Sequence, residues 1–227
     1  MLVIKYQKTG SARFISHIDI LRHFARTLRR AQVPVEFSKG FNPHMLLYFS
    51  PPLALGMSSV AEYAAIAASM EKSEFLARYN AAAPAGLWAD KVFEVAKDPK
   101  LQGIICCADY ILPISPEGIK IGDKYEITYT SKNKLVVEEV GEKILGVWDE
   151  GGNTAVRLSS GAQNLRADRL AAQMARDFGK EIALPDIVKT AQYVKREDGL
   201  VDADDFLSDL ERDAQMTDAI KEMQSEI

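Results

Sequence analysis

Residues 13–50 read RFISHIDILRHFARTLRRAQVPVEFSKGFNPHMLLYFS, and their reading decides the fold of the first half of the chain. Ser16 stands three residues before Asp19 and ahead of an apolar run. In this S-x-x-[DE] pattern the hydroxyl accepts from a free backbone N–H and the acid reaches back, so a helix starts at Ser16. Ile18, Leu21, Ala25, Leu28 and Ala31 recur at spacings of three and four and form its buried face, extended by Ile15 and Phe24. Arg22, Arg26, Arg29 and Arg30 fall on the other face as a basic stripe. Pro34 ends the helix, because the residue before a proline disfavours helical angles. VPVEFS (33–38) then alternates as a strand, Lys39-Gly40 and Asn42-Pro43 turn, and MLLYFS (45–50) is a second short strand stopped by Pro51-Pro52.

Working outward, LVIKYQ (2–7) reads as a strand before this segment, and Val60–Ala68 as one after it. KSEFLARYNAA (72–82) is a helix with Ser73 as its candidate cap, and GLWADKVFEVA (86–96) a closing strand. Taking the two strands around Gly40 as one interrupted hairpin gives β-α-β-β-α-β, the ferredoxin-like plan. KDPKLQG (97–103) is a charged linker. Beyond it, GIICCADYILPI is a strand, YEITYTS and KLVVEEV a hairpin, TAVRLSS (154–160) a strand, ADRLAAQMARDF (167–178) a helix, and ALPDIVKTAQYVKR a final strand. Element order makes this a degenerate copy of the first half whose first helix is missing or reduced to SPEGIK. The expected fold is therefore α+β, with two ferredoxin-like halves at 1–98 and 99–196. An acidic segment at 197–227 follows, for which a docked helix and a frayed tail both fit.

Composition bounds the function classes. The 227 residues are 47% hydrophobic and 26% charged, an ordinary globular balance. No apolar run reaches the roughly 18 residues of a membrane span, and the first residues do not form a signal peptide, so a cytoplasmic protein with no membrane contact is expected. The only two cysteines, Cys106-Cys107, are adjacent; they form neither a CxxC pair nor a cluster-binding triplet. No cofactor is expected. The charge is polarised: residues 1–50 hold eight basic residues against two acidic, a net +6, and residues 197–227 hold eleven acidic against two basic, a net −9. Such a split points to an anionic partner for the front, and to solvation or self-masking by the tail.

Three constellations carry possible chemistry. Arg13 and His17 flank the start of the first helix, whose free N–H groups favour an anion. If the Gly40–His44 loop folds back over it, Asn42 and His44 join Arg13, Ser16, His17 and Asp19 in one pocket; the alternative is that Ser16 and Asp19 only cap and Asn42-Pro43 only turns. His23, four residues after Asp19, reads as a surface ion pair. The stripe of Arg22, Arg26 and Arg29 suits phosphate oxygens, because a guanidinium binds two at once. The small-residue segment from Ser159 to Arg166, with Asn164 and Arg166, can cradle an anion through its backbone or simply start a helix. His17 and His44 lack a third ligand, so no metal site is expected.

The same residues carry a resemblance. Arg13-Phe14-Ile15-Ser16-His17-Ile18-Asp19, Arg22, Ser38 to His44, Leu53-Ala54-Leu55-Gly56 and Glu62-Tyr63 are similar to a bacterial family of radical SAM-linked proteins through its SHxD and GFNPH motifs. Ser160-Gly161, Asn164-Leu165-Arg166 and Lys189-Thr190 extend the likeness to about residue 196. The chain departs at Met45-Leu46, where that family continues Pro-Arg. The resemblance implies a radical SAM enzyme as partner and a setting in RNA modification. The expected function is a non-catalytic accessory protein that binds RNA or another anionic substrate. Two alternatives stand beside it: a metal-independent RNA endonuclease with His17 or His44 as general base, and a pure protein adaptor.

Overall fold

The structure, a computed structural model, describes residues 1–117, 119, 124–179 and 181–225. The first half runs β1 (Leu2–Lys8), α1 (His17–Arg30), β2 (Leu47–Phe49), β3 (Ser58–Ile66), α2 (Lys72–Ala82) and β4 (Ala89–Glu94). A single turn of helix, α3 (Leu101–Ile104), leads into β5 (Ile105–Leu112). The second half continues with β6 (Glu126–Ser131), β7 (Lys134–Glu139), β8 (Ile144–Glu150), β9 (Asn153–Ser159), α4 (Ala167–Asp177), β10 (Val188–Arg196) and β11 (Gly199–Asp202), and α5 (Ala203–Ser225) closes the chain. One mixed, mostly antiparallel sheet runs through both halves in the order β4-β1-β3-β10-β5-β9-β8, with β2 also on β3 and β11 on β10. The halves meet in a short parallel pairing, Val188 with Ser58 and Lys189 with Ser59. No helix is long and apolar enough to cross a membrane.

Period-two alternation sorts the strand residues onto two faces. Leu2, Ile4 and Tyr6 of β1 and Ala64 and Ile66 of β3 pack under Ile20, Phe24 and Leu28 of α1 and Phe75 and Tyr79 of α2. On the same side of the second half, Ala108, Tyr110, Val156 and Leu158 pack under Leu170 and Met174 of α4 and Ile127 of β6. The opposite side carries Val3, Ala61, Tyr63 and Ala65, covered by Ala203 and Leu207 of α5. The alanine-rich run falls in a central strand, 58–66, that is buried on both sides, between α1 and α2 on one and α5 on the other. Gly86 has φ +83, and a Cβ there would lie 2.2 Å from the Thr9 carbonyl, so only glycine lets the loop before β4 approach the end of β1.

Several expectations are corrected. Ile18 is 61% exposed rather than buried, and the inward side of α1 is Ile20, Phe24, Thr27 and Leu28. Residues 33–38 form no strand; Val35 bridges Ala68 and Phe37 bridges Met45 singly, since Pro34 has no N–H to continue a ladder. The cap of α2 is Glu71, which accepts from the Glu74 N–H, not Ser73. In the second half β6 and β7 form a separate two-stranded hairpin, which packs on α4 through Ile127. The hairpin of the sheet is instead β8–β9, and β8 went unread because its interior Gly146 and acidic end mask its alternation. Residues 118 and 120 of SPEGIK lie outside the described residues.

The acidic segment docks. Asp204 Oδ2 accepts from Lys5 Nζ at 2.9 Å and Lys91 Nζ at 2.8 Å, and its Oδ1 accepts from the Tyr63 hydroxyl at 2.7 Å. Glu211 pairs with Lys72 at 2.6 Å and accepts from the Glu94 N–H, and Asp209 pairs with Arg196 at 2.8 Å. Burial alone would raise the Asp204 carboxyl, but the hydrogen bonds from Lys91, Lys5 and Tyr63 outweigh it and hold it below the usual aspartate range. A depressed carboxyl stabilises the fold above its unfolded pKa and loses that contribution as pH falls through the folded one. Asp204→Ala is expected to lower stability at neutral pH by about 2–3 kcal/mol and to speed amide exchange in the first three turns of α5. Hydrogen-exchange mass spectrometry beside a urea titration checks both.

Candidate functional site

The end of β1, the start of β3 and the start of β10 lie side by side, and they carry a buried row of charge. Lys8 is in register with Ser59, and Ser59 with Lys189. Glu62, opposite Tyr6, points to the same side of the sheet as Ala64 and Ile66. Lys8, Glu62 and Lys189 are 4%, 3% and 2% exposed. Lys189 Nζ lies 2.8 Å from Glu62 Oε1. Lys8 makes no side-chain hydrogen bond or ion pair among the described residues. Burial pulls the Lys8 ammonium down, with Glu62 opposing and Lys189 adding to it. Burial alone would lower Lys189 too, but the Glu62 carboxylate raises it above an ordinary lysine. The phenols of Tyr6 and Tyr110, raised first by burial, stay protonated beside this row.

Beside the row the sheet forks. β3 pairs with β10 at Ser58 and Ser59 and with β2 from Ala64 to Ile66. Gln192, 1% exposed, bridges the gap by donating from Nε2 to the Ala61 carbonyl and the Ser50 hydroxyl. A cleft of about 340 Å³ opens there, lined by His17 and Leu21 of α1, Phe49 of β2 with Ser50 just after it, and Asp98, Lys100 and Gln102 from the linker. His17 stacks edge-on against Phe49 at 5.8 Å between centroids. Its imidazole is lowered below the ordinary 6.5, by burial first, with Glu62 opposing and Lys8 contributing. His17 therefore sits at the mouth of the cleft within reach of the charge of the buried row.

The expected residues fall into three places. Ser16 caps α1: its hydroxyl accepts from the Asp19 N–H at 3.2 Å and donates to the Asp19 carboxylate at 2.8 Å. Asp19 pairs with Arg22 at 2.9 Å, not with His23. The Arg13 carbonyl accepts from the Gly56 N–H at 2.9 Å, its guanidinium lies over Phe14, and its Nε is buried without a partner. The Gly40–His44 loop closes on itself. The Ser38 N–H donates to the His44 carbonyl at 2.8 Å, the His44 N–H to the Ser38 hydroxyl at 3.1 Å, and that hydroxyl meets His44 Nδ1 at 2.8 Å. Gly40 at φ +127 allows this turn, and Asn42 and Phe41 at its tip are exposed. Among the described residues no hydrogen bond, ion pair or ring contact joins Asn42 or His44 to Arg13 or His17. Arg26 and Arg29 are exposed and also unpaired among the described residues. Asn164 does not cap α4; the cap residue is Arg166, which grips Asp168 at 2.9 and 2.5 Å.

Sequence reasoning did not assign Lys8, Glu62, Lys189 or Gln192 to the site. Glu62 and Lys189 do lie in the Glu62-Tyr63 and Lys189-Thr190 stretches that carry the family resemblance, and the local signal is a charged or amide side chain within a strand otherwise rich in apolar residues, as in VAEYAAIAA and in IVKTAQYV.

The fold and cleft define an α+β protein with one sheet common to two halves and a histidine over a buried, net-cationic row. Residues 1–149 match the bacterial family described as "Uncharacterized protein conserved in bacteria (DUF2344)", and the chain belongs to that family. No curated protein matches it.

Two outcomes test the electrostatics. Glu62→Gln leaves the buried Lys189 ammonium without its counter-charge and is expected to cost about 3–5 kcal/mol of stability at pH 7, read from urea unfolding. A two-dimensional NMR titration should place the His17 midpoint below 6.5. Lys8→Met should move that midpoint up, because a repelling cation is gone, whereas a midpoint that stayed put would separate His17 from the buried row.

Proposed function

We propose that this protein is a non-catalytic accessory component of a radical SAM enzyme system and that it binds RNA along α1. One observation carries the RNA reading: Arg26 and Arg29 stand exposed and unpaired beside Arg22, while the acidic α5 is held on the opposite side of the sheet by Lys5, Lys91, Lys72 and Arg196. The tail therefore does not mask the arginine stripe, and a polyanion meets guanidinium groups free to bind two oxygens each. The His17 cleft adjoins the start of the same helix. A ferredoxin-like reading of both halves is supported by the strand orders β4-β1-β3-β2 and β10-β5-β9-β8, with the β6–β7 hairpin standing where a helix would be.

The radical SAM link rests on the SHxD and GFNPH motifs, which begin at Ser16 and Gly40. The division of labour follows from the thiols. The chain has two cysteines, and burial first, with Cys106 beside it, pushes the Cys107 thiol up to about 12, so the cluster chemistry would belong to the partner.

Fluorescence anisotropy with a labelled single-stranded RNA is the test. Binding should weaken steeply with salt. Reversal of Arg22, Arg26 and Arg29 to glutamate should reduce the log–log salt slope by about 2, at roughly 0.7 per phosphate contact on a single strand, with the fold retained and only a small loss of thermal stability from the broken Arg22–Asp19 pair. Equal affinity in the triple variant, or no RNA binding at low salt, would instead favour a protein-only adaptor.

A further inference from the structure

The cleft beside β2 carries rings and hydrogen-bonding groups that the fold leaves partly unused. Ser50 borders it and is 3% exposed. The Ser50 oxygen accepts twice, from the Tyr63 N–H at 3.2 Å and from Gln192 Nε2 at 3.3 Å, while its own O–H meets no acceptor among the described residues. A buried donor without an acceptor costs free energy. From the linker, the mostly buried Asp98 carboxylate takes one bond on each oxygen, from the Lys100 N–H at 2.9 Å and from Lys100 Nζ at 2.8 Å. These bonds hold Lys100 at φ +60, a left-handed conformation uncommon for a residue with a side chain, and each carboxylate oxygen keeps an acceptor site free. The Gln102 amide is exposed and makes no side-chain hydrogen bond among the described residues. His17 and Tyr48 turn ring surface to solvent along the same cleft.

The cleft lies on the flank of α1 that leads to the arginine stripe. Counted from Leu21, which lines the cleft, the buried Phe24 and Leu28 fall about 60° and 20° to one side of the helix, and Arg29 and Arg22 about 80° and 100° to the other. A strand of RNA held by those arginines therefore runs past the mouth. We infer that the cleft is a pocket for one unpaired guanine base, a reading that rests on RNA binding along α1 and names what that strand presents. Guanine sets its ring N–H and its amino N–H side by side on one edge, and a carboxylate with two free acceptor sites, Asp98, matches that pair. The carbonyl oxygen next to them on the same edge is the acceptor that the Ser50 O–H lacks. His17 and Tyr48 supply ring surface for the face of the base, as single-stranded RNA bases splay onto aromatic side chains. At about 340 Å³ the cleft falls in the size range of small-molecule sites.

The probes are GMP, AMP and ribose 5-phosphate, each titrated into the full chain at constant ionic strength with the His17 and Tyr48 ring resonances as readout. Saturable shifts are expected with GMP, bound about tenfold more tightly than AMP, whose base cannot give a carboxylate two adjacent N–H groups. Asp98→Asn, which keeps an acceptor for the Lys100 N–H, should remove most of that preference. Rings unmoved by GMP in the wild-type protein would overturn the proposal, and that result needs no variant to fold. So would ribose 5-phosphate shifting them as GMP does, which marks phosphate binding only. Equal affinity for GMP and AMP would overturn the guanine assignment. Oligoadenylate with one internal guanosine, compared with oligoadenylate alone, separates the strand from a free nucleotide as the source of the base. The guanosine should tighten binding to the wild type and not to Asp98→Asn; no tightening beside intact GMP binding would overturn the strand as the source. Arg26→Glu/Arg29→Glu should weaken both oligonucleotides and leave GMP unchanged, so failure of the RNA surface and failure of the pocket are read separately.

Discussion

Lys189 reaching from β10 to Glu62 on β3 is the contact on which the arrangement of the molecule depends. The two halves share only a two-residue parallel pairing there, at Val188 and Lys189 against Ser58 and Ser59. A ladder that short supplies few backbone bonds. The pairing survives because side chains complete it: the Lys189–Glu62 ion pair on the helix side, and Gln192 donating to Ala61 and Ser50 at the fork. Buried polar groups of this kind give little net stability but discriminate strongly between registers, since a slip of one residue would bury each charge alone. Sliding β10 by one position would turn Lys189 and Gln192 to opposite sides of the sheet.

The seam and the cleft are one construction. β3 can serve β10 at its start and β2 at its end only if the two partners diverge, and the gap between them is where His17, Phe49, Ser50 and the linker residues meet. The polarity of the whole molecule follows from the same sheet. α1 and its arginines lie on one side, and α5 on the other is drawn in by Asp204 against Lys5 and Lys91, which point away from α1 because they alternate with Ile4 and Tyr6 along β1 and with Val92 along β4. Lysines that a count of the first half adds to its positive face are therefore spent on the acidic helix.

How far the chain could be read in advance depended on whether a feature is local. The Ser16 cap, the α1 helix and the basic stripe are set by neighbours three or four residues apart and stand where their pattern places them, and the strand read over 60–68 is found at 58–66. Ile18 did not follow the periodicity read for it: the buried side of α1 runs through Ile20, Phe24, Thr27 and Leu28, and Ile18 lies outside it. The 33–38 segment alternates well but pairs only through single bridges, Val35 with Ala68 and Phe37 with Met45. The GFNPH loop drew attention through its density of polar residues, and it spends most of its hydrogen bonds on its own closure through Ser38 and His44.

By itself the sequence determined the α+β class, the capped helix with its arginine stripe, and the separation of basic front from acidic end, because these rest on spacing and composition. Tertiary structure alone decided which charges are free. It paired Lys5, Lys91 and Lys72 with α5, left Arg26 and Arg29 open, and buried Lys8 and Glu62 in one row with Lys189, which lies more than a hundred residues further along the chain. The cost of a buried charge depends on what lies within a few ångströms of it, and sheet pairing between distant segments, which no local pattern encodes, sets those neighbours.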